Sequence, residues 1–204
     1  MSELPITPSP PESPPSPGIV VLGRFQPFHR GHESLLIAAE EWRRENADNH
    51  SLIIAIGSSN REESLQNPWS SDERSAMIEV WLYESGIQDA EIVSIPDIED
   101  PPNWVAHAEQ YHGMAGVLFT SDAPSAELYG EAGWQVMTTP LDNRESFEGW
   151  RVRETARMLS TIGDEEAVRA VLSQTVPSVV VEYMVRNDAL RRLAFLGEGG
   201  EPVG

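Results

Sequence analysis

The sequence predicts an α/β protein, a doubly wound parallel five-stranded sheet with C-terminal helices. Three observations carry that expectation. Short apolar runs alternate with amphipathic stretches between Ile19 and Met137, at intervals that suit repeated β-α units. The first runs are continuously apolar rather than alternating, as strands buried on both faces should be. Segments rich in Gly, His, Ser, Asn and Asp follow the carboxyl ends of these runs, where open α/β sheets bind ligands.

Taken in order, residues 1–17 hold seven prolines among Ser, Glu and Thr and are expected to form a disordered tail. A strand is expected at 19–23 and a helix from the His29–His32 region to about Arg44. The run Leu52-Ile53-Ile54-Ala55-Ile56 reads as the second strand, followed by Gly57-Ser58-Ser59-Asn60 and a polar loop to Trp69. Ser70 with Glu73 makes a capping box for a helix at about 71–84, with Gly86 as its stop. A third strand is expected at 91–95, a short helix at 103–112, a fourth strand at 116–120, a helix after Asp122 and a fifth strand at 134–137. From Glu148 the pattern is helical, at roughly 150–160, 164–173 and 177–195, the last with Pro177 in its first turn. The domain is therefore drawn at 18–196, with its helical part at 148–196 and a flexible tail at 197–204.

Composition narrows the function classes. The chain of 204 residues is 40% hydrophobic, enough for one domain with a substantial core. It has no cysteine, which excludes disulfides, thiolate metal sites and a cysteine nucleophile. Acidic residues number 33 against 14 basic, and every basic residue is arginine. A net charge of −19 argues against nucleic acid or an anionic membrane as partner. No apolar run approaches the length of a membrane span and no leader pattern opens the chain, so a cytoplasmic location is expected. Without lysine, phosphate contacts must come from arginine, histidine, hydroxyls or backbone amides.

The stretch Gly23-Arg24-Phe25-Gln26-Pro27-Phe28-His29-Arg30-Gly31-His32 joins the first strand to the first helix. A helix N-terminus offers unpaired N–H groups and partial positive charge, which suits phosphate. Gly31 leaves the backbone open to close approach, and Arg24, His29 and His32 can donate to phosphoryl oxygens. These are the parts needed to hold a triphosphate and stabilise displacement at phosphorus. Two other readings of the histidines remain open from the residues alone: polar helix-start residues, or a metal pair that lacks a third ligand.

These ten residues resemble the GRFQPFHxGH signature of the archaeal-type nicotinamide-nucleotide adenylyltransferases, Rossmann-like members of the HxGH nucleotidyltransferase superfamily. The resemblance implies adenylyl transfer from ATP to nicotinamide mononucleotide by direct in-line attack, giving NAD and pyrophosphate, with Mg²⁺ arriving with ATP and no dedicated carboxylate cage. It assigns His29, His32, Arg24 and Arg153 to catalysis. It assigns Gly23, Phe25, Gln26, Gly31, Ser58, Asn67, Arg74 and Gly149 to ATP and its phosphates. Phe25 and Phe28 fit core packing equally well, and Arg74 fits a helix-surface salt bridge equally well. Asp97-Ile98-Glu99 followed by Trp104 is similar to the family's D-I-E-x-x-x-x-W, where the tryptophan stacks on the nicotinamide ring; a buried core tryptophan is the other reading. Ser121-Asp122 falls where the family turns before a helix, so Asp97, Trp104, Ser121 and Asp122 are the expected mononucleotide contacts. The resemblance also implies a homo-oligomer.

One segment departs from the pattern. Glu148-Gly149-Trp150-Arg151-Val152-Arg153 occupies the place of S-x-T-x-I-R, and Glu148 and Trp150 replace its hydroxyl residues. A carboxylate beside a triphosphate is unfavourable unless magnesium or Arg151 compensates. Two alternatives therefore accompany the leading function: another phosphomonoester acceptor, such as nicotinate mononucleotide, and a non-catalytic nucleotide-binding sensor.

Overall fold

A computed structural model describes residues 4–140 and 148–196. Five strands, β1 (Ile19–Gly23), β2 (Leu52–Ile56), β3 (Ala90–Ser94), β4 (Val117–Thr120) and β5 (Gln135–Thr138), form one sheet in the order β3-β2-β1-β4-β5. Every neighbouring pair is parallel. The order reverses between β1 and β4, which opens a crevice at their carboxyl ends. The helices are α1 (Arg30–Asn46), α2 (Ser71–Ser85), α3 (Trp104–His112), α4 (Ala123–Glu131), α5 (Gly149–Leu159), α6 (Glu165–Leu172) and α7 (Ser178–Arg186).

The pleat divides the core into two. Ile19, Val21, Leu52, Ile54 and Ile56 face a cluster that includes Leu36 on α1, Met77 and Ile78 on α2 and Val180 and Val181 on α7. Val20, Ile53, Ala55 and Leu118 face the other side, against Val105, Ala108 and Tyr111 of α3 and Tyr129 of α4. Both faces of β1 and β2 are therefore apolar, which explains their uninterrupted sequence runs.

Local signals set several boundaries. Ser70 and Glu73 make the reciprocal capping box of α2, and Gly86 ends it in the left-handed region at φ 72. His29 and His32 make an analogous box at the start of α1. A 3-10 turn at Pro101–Asn103 precedes α3, which thus begins one residue later than expected.

The C-terminal helix differs from expectation. Pro177 stands at the N-cap of α7 rather than inside its first turn, and the helix stops at Arg186. Asp188 takes a φ of 51, and a 3-10 turn follows at Arg191–Ala194. The break lets the Ala189 carbonyl accept a 2.9 Å hydrogen bond from Trp69 Nε1 while Ala189, Leu190 and Leu193 are buried. A straight helix would not present that carbonyl to Trp69. The 197–204 tail lies outside the described residues.

Candidate active site

The carboxyl ends of β1, β2 and β4 and the loop after β3 line a cleft of about 430 Å³. Gly23, Arg24 and His32 come from the first β-α turn, Ser58 from the second, Asp97 and Trp104 from the third, and Ser121 and Asp122 from the fourth. Residues far apart in the chain meet because parallel strands bring all their carboxyl ends to one edge.

His29, Gly31, Gly149 and Arg153 are not among the residues that line this cleft; they adjoin its His32 end around the N-terminus of α1, and Arg153 lines a separate hollow with Leu65, Gln66 and Trp150. His29 Nδ1 accepts the Gly31 N–H at 3.2 Å, and His32 Nδ1 accepts the His29 N–H at 3.3 Å. An Nδ1 that accepts leaves the proton of the neutral ring on Nε2, so each ring presents an N–H donor on its other side. The rings stack with centroids 3.7 Å apart. Burial, and then the charge of Arg153, lower the His29 pKa to about 4. Burial, and then His29, hold His32 well below the ordinary histidine value. Near neutrality both rings are neutral donors.

A second helix N-terminus meets the first. A Cβ placed on Gly149, the first residue of α5, would stand 3.7 Å from His29 Nε2 and 3.3 Å from Arg153 Nη1. Arg153 Nη1 donates to the Gln26 carbonyl at 2.8 Å. Burial, and then Arg24, push the Arg153 pKa down. Mutual repulsion among these guanidinium groups is relieved by an anion between them. Two helix N-termini, two imidazole donors and the Arg24–Arg153 pair thus favour negative charge in one place.

The altered segment is internally compensated. Glu148 stands at the N-cap of α5 without capping it; its Oε2 accepts Trp150 Nε1 at 2.7 Å and Arg151 Nε at 3.2 Å. The Arg151 guanidinium carbon lies 4.7 Å from the Trp150 ring centroid. The carboxylate is drawn aside by its own neighbours.

The other end of the cleft carries Trp104, half-buried, with its ring edge-on to Tyr129 at 6.3 Å. Trp104 both lines the cleft and packs against the core cluster that holds Val105, Ala108 and Tyr129. Asp97 Oδ2 accepts Arg61 Nε at 2.6 Å, and Asp122 Oδ2 caps α4 by accepting the Ser125 N–H at 3.0 Å. Ser121 follows Thr120, whose Oγ1 accepts the Asp122 N–H at 3.0 Å.

Six expected nucleotide contacts, Phe25, Gln26, Gly31, Asn67, Arg74 and Gly149, are not among the residues that line the cleft. Phe25, at φ 51 and 1% exposed, packs 4.6 Å from the His32 ring. The Gln26 side chain is spent on Trp69, donating to its carbonyl at 2.7 Å and accepting its N–H at 3.2 Å. Asn67 hydrogen-bonds within its own loop, its N–H to Ser64 Oγ at 3.2 Å. Arg74, 1% exposed, is neither a surface salt bridge nor a lining residue. It donates to the carbonyls of Arg24 (2.6 Å), Gly57 (2.8 Å), Ser58 (3.2 Å) and Ser70 (3.2 Å), tying two lining loops to α2. Sequence reasoning in turn missed Thr120 and Ser125, which line the cleft, and Asn60, which holds Asp97. Thr120 closes β4 and Asn60 lies in the polar segment that follows β2, but nothing local singled out either residue within its segment.

Among the described residues, no group of three or more His, Cys, Asp or Glu side chains is placed to hold a metal ion, and no helix is long and apolar enough to cross a membrane.

The model of the cytidylyltransferase-like family matches residues 20–177. A nicotinamide-nucleotide adenylyltransferase of Picrophilus torridus is 31% identical over 181 residues, covering 89% of this chain and 98% of that protein. One of Ignicoccus hospitalis is 32% identical over 178 residues, covering 86% and 95%. A bifunctional NMN adenylyltransferase/ADP ribose pyrophosphatase from Francisella tularensis, solved with AMP and a manganese ion, has a TM-score of 0.61 at 20% identity. That match covers 88% of this chain and 52% of the larger one, and it shows the shared fold. Signature loop, switch-point cleft and full-length relatives agree: the chain belongs to the nicotinamide-nucleotide adenylyltransferases of the cytidylyltransferase-like family.

Proposed function

We propose that the chain transfers the adenylyl group of magnesium-bound ATP to nicotinamide mononucleotide, giving NAD and pyrophosphate. The observation that carries this reading is a cleft lined by Arg24, His32 and Trp104, with His29, Gly149 and Arg153 adjoining its His32 end. A phosphate oxygen of the mononucleotide attacks the α-phosphorus in line. The bond from that phosphorus to the bridging oxygen breaks, and the electron pair leaves with pyrophosphate. No covalent enzyme intermediate is needed, so positioning and charge stabilisation carry the rate.

In this reading His29 and His32 donate through Nε2 to the oxygens that gain charge, Arg24 and Arg153 neutralise the triphosphate, and Gly31 and Gly149 leave room for it. Trp104 offers its ring to the nicotinamide. Magnesium would enter with ATP and supply positive charge against the triphosphate, alongside Arg24 and Arg153.

The test is pyrophosphate release from ATP, Mg²⁺ and nicotinamide mononucleotide, at low and at multimolar KCl. Release should require the mononucleotide, and His32→Ala should lower kcat by about 10²–10³, the usual cost of losing one donor to a developing oxyanion. Retained ATP binding with no release at either salt level would favour the sensor instead.

A further inference from the structure

The proline-rich residues before β1 lie along the domain. The Pro15 carbonyl sits against Gly113, where a Cβ would collide with it. Tyr111 Oη donates to the Pro8 carbonyl at 2.9 Å. Ser59 Oγ donates to the Thr7 carbonyl at 3.4 Å, and Asn60 Nδ2 to the Pro5 carbonyl at 2.9 Å. The segment thus runs from the end of α3, beside the start of β4, to the loop beyond the carboxyl end of β2. All three hydrogen bonds use its carbonyls, which suits a chain whose prolines lack N–H groups.

Its far end meets the cleft wall. Asn60 Nδ2 also donates to the Asp97 carbonyl at 2.9 Å, and Asn60 Oδ1 accepts the Asp97 N–H at 2.7 Å. One side chain therefore joins the proline-rich segment, the loop after β2 and the residue that lines the cleft with Trp104. Ser58, two residues before Asn60, holds a left-handed φ of 53, a conformation that persists only where its surroundings enforce it.

We propose that residues 4–8 are a strap that steadies the mononucleotide end of the cleft, with Asn60 as the positioning residue that transmits it to Asp97. This rests on the function proposed above for that end. By linkage, if the strap favours mononucleotide binding, the mononucleotide favours strap docking by the same factor.

The absence of cysteine gives a clean probe: Ser9→Cys in the full chain, carrying a nitroxide, reports strap mobility by electron paramagnetic resonance. The label should be partly immobilised, and more so with nicotinamide mononucleotide. Tyr111→Phe keeps the buried ring and removes only the hydroxyl that holds Pro8. It should free the label and raise KM for the mononucleotide about fivefold, the worth of about one hydrogen bond, with kcat and KM for ATP within about twofold. Ser59→Ala, at the surface, should move both readouts the same way by less. A label as mobile as a free peptide with and without mononucleotide overturns the strap, as does an unchanged mononucleotide KM in Tyr111→Phe. A label that the mononucleotide immobilises in a chain that makes no NAD supports the strap and overturns the proposed reaction.

Discussion

Arg74→Lys separates a structural role from a direct phosphate contact. The arginine donates from Nη1 to the Arg24 and Gly57 carbonyls, from Nη2 to Ser58 and from Nε to Ser70. A lysine ammonium placed at Nη1 keeps the first two at best and loses the other two. Each hydrogen bond from a charged donor contributes about 1.5–3 kcal/mol. Ser58 lines the cleft and can be rehydrated, so the lower end applies and the loss is about 3 kcal/mol. At about 2–4 °C per kcal/mol for a domain of this size, Tm should fall by about 6–12 °C. Burial, and then Arg24, lower the Arg74 pKa to about 10, so the native cation is held against opposing forces. The assay is thermal unfolding beside steady-state kinetics, in which kcat/KM should fall about tenfold as the loops carrying Arg24 and Ser58 loosen. A Tm unchanged within about 1 °C, together with a kcat/KM loss beyond about 10²-fold, would refute the reasoning and return Arg74 to the phosphate.

Trp104→Ala should raise KM for nicotinamide mononucleotide by about 10-fold, since stacking a base on an aromatic ring contributes about 1–3 kcal/mol. KM for ATP should stay put, and an equal rise for both substrates would count against ring stacking. The histidine pair also predicts a pH dependence of stability. The folded pKa of His29, about 4, lies below its unfolded value of about 6.5, so between those values the unfolded chain binds the proton more readily. Stability should therefore fall as pH drops through that window, by up to ~1.4 kcal/mol per pH unit and about 3 kcal/mol in all from this ring. Denaturant midpoints should show a flatter fall in His29→Gln than in the wild type, and parallel curves would exclude the effect.

Much of the fold was legible because its signals are local. β1 and β2 stand where their continuous apolar runs place them, and the Ser70–Glu73 box and Gly86 bound α2 almost as read. A strand buried on both faces must be apolar throughout, and a helix end must find partners for its unpaired N–H groups within a few residues. The stop of α7 was not legible, because it depends on an indole N–H from Trp69 meeting a carbonyl 120 residues later. The same holds for Gln26, whose side chain is claimed by Trp69, 43 residues away.

The sequence by itself determined the chemistry: histidine and arginine donors around glycines at a strand-to-helix turn, and a flat aromatic after a later strand. Residue type and short spacing suffice for that, because donor capacity and helix N-termini are local properties. Only the tertiary structure decided which of these side chains line the cleft. Arg24, His32 and Trp104 reach the cleft, while Phe25, Gln26 and Arg74, drawn from the same motifs, hold its wall from behind. The division follows from burial and from carbonyls supplied by distant loops, which exist as partners only once the sheet has brought its carboxyl ends together.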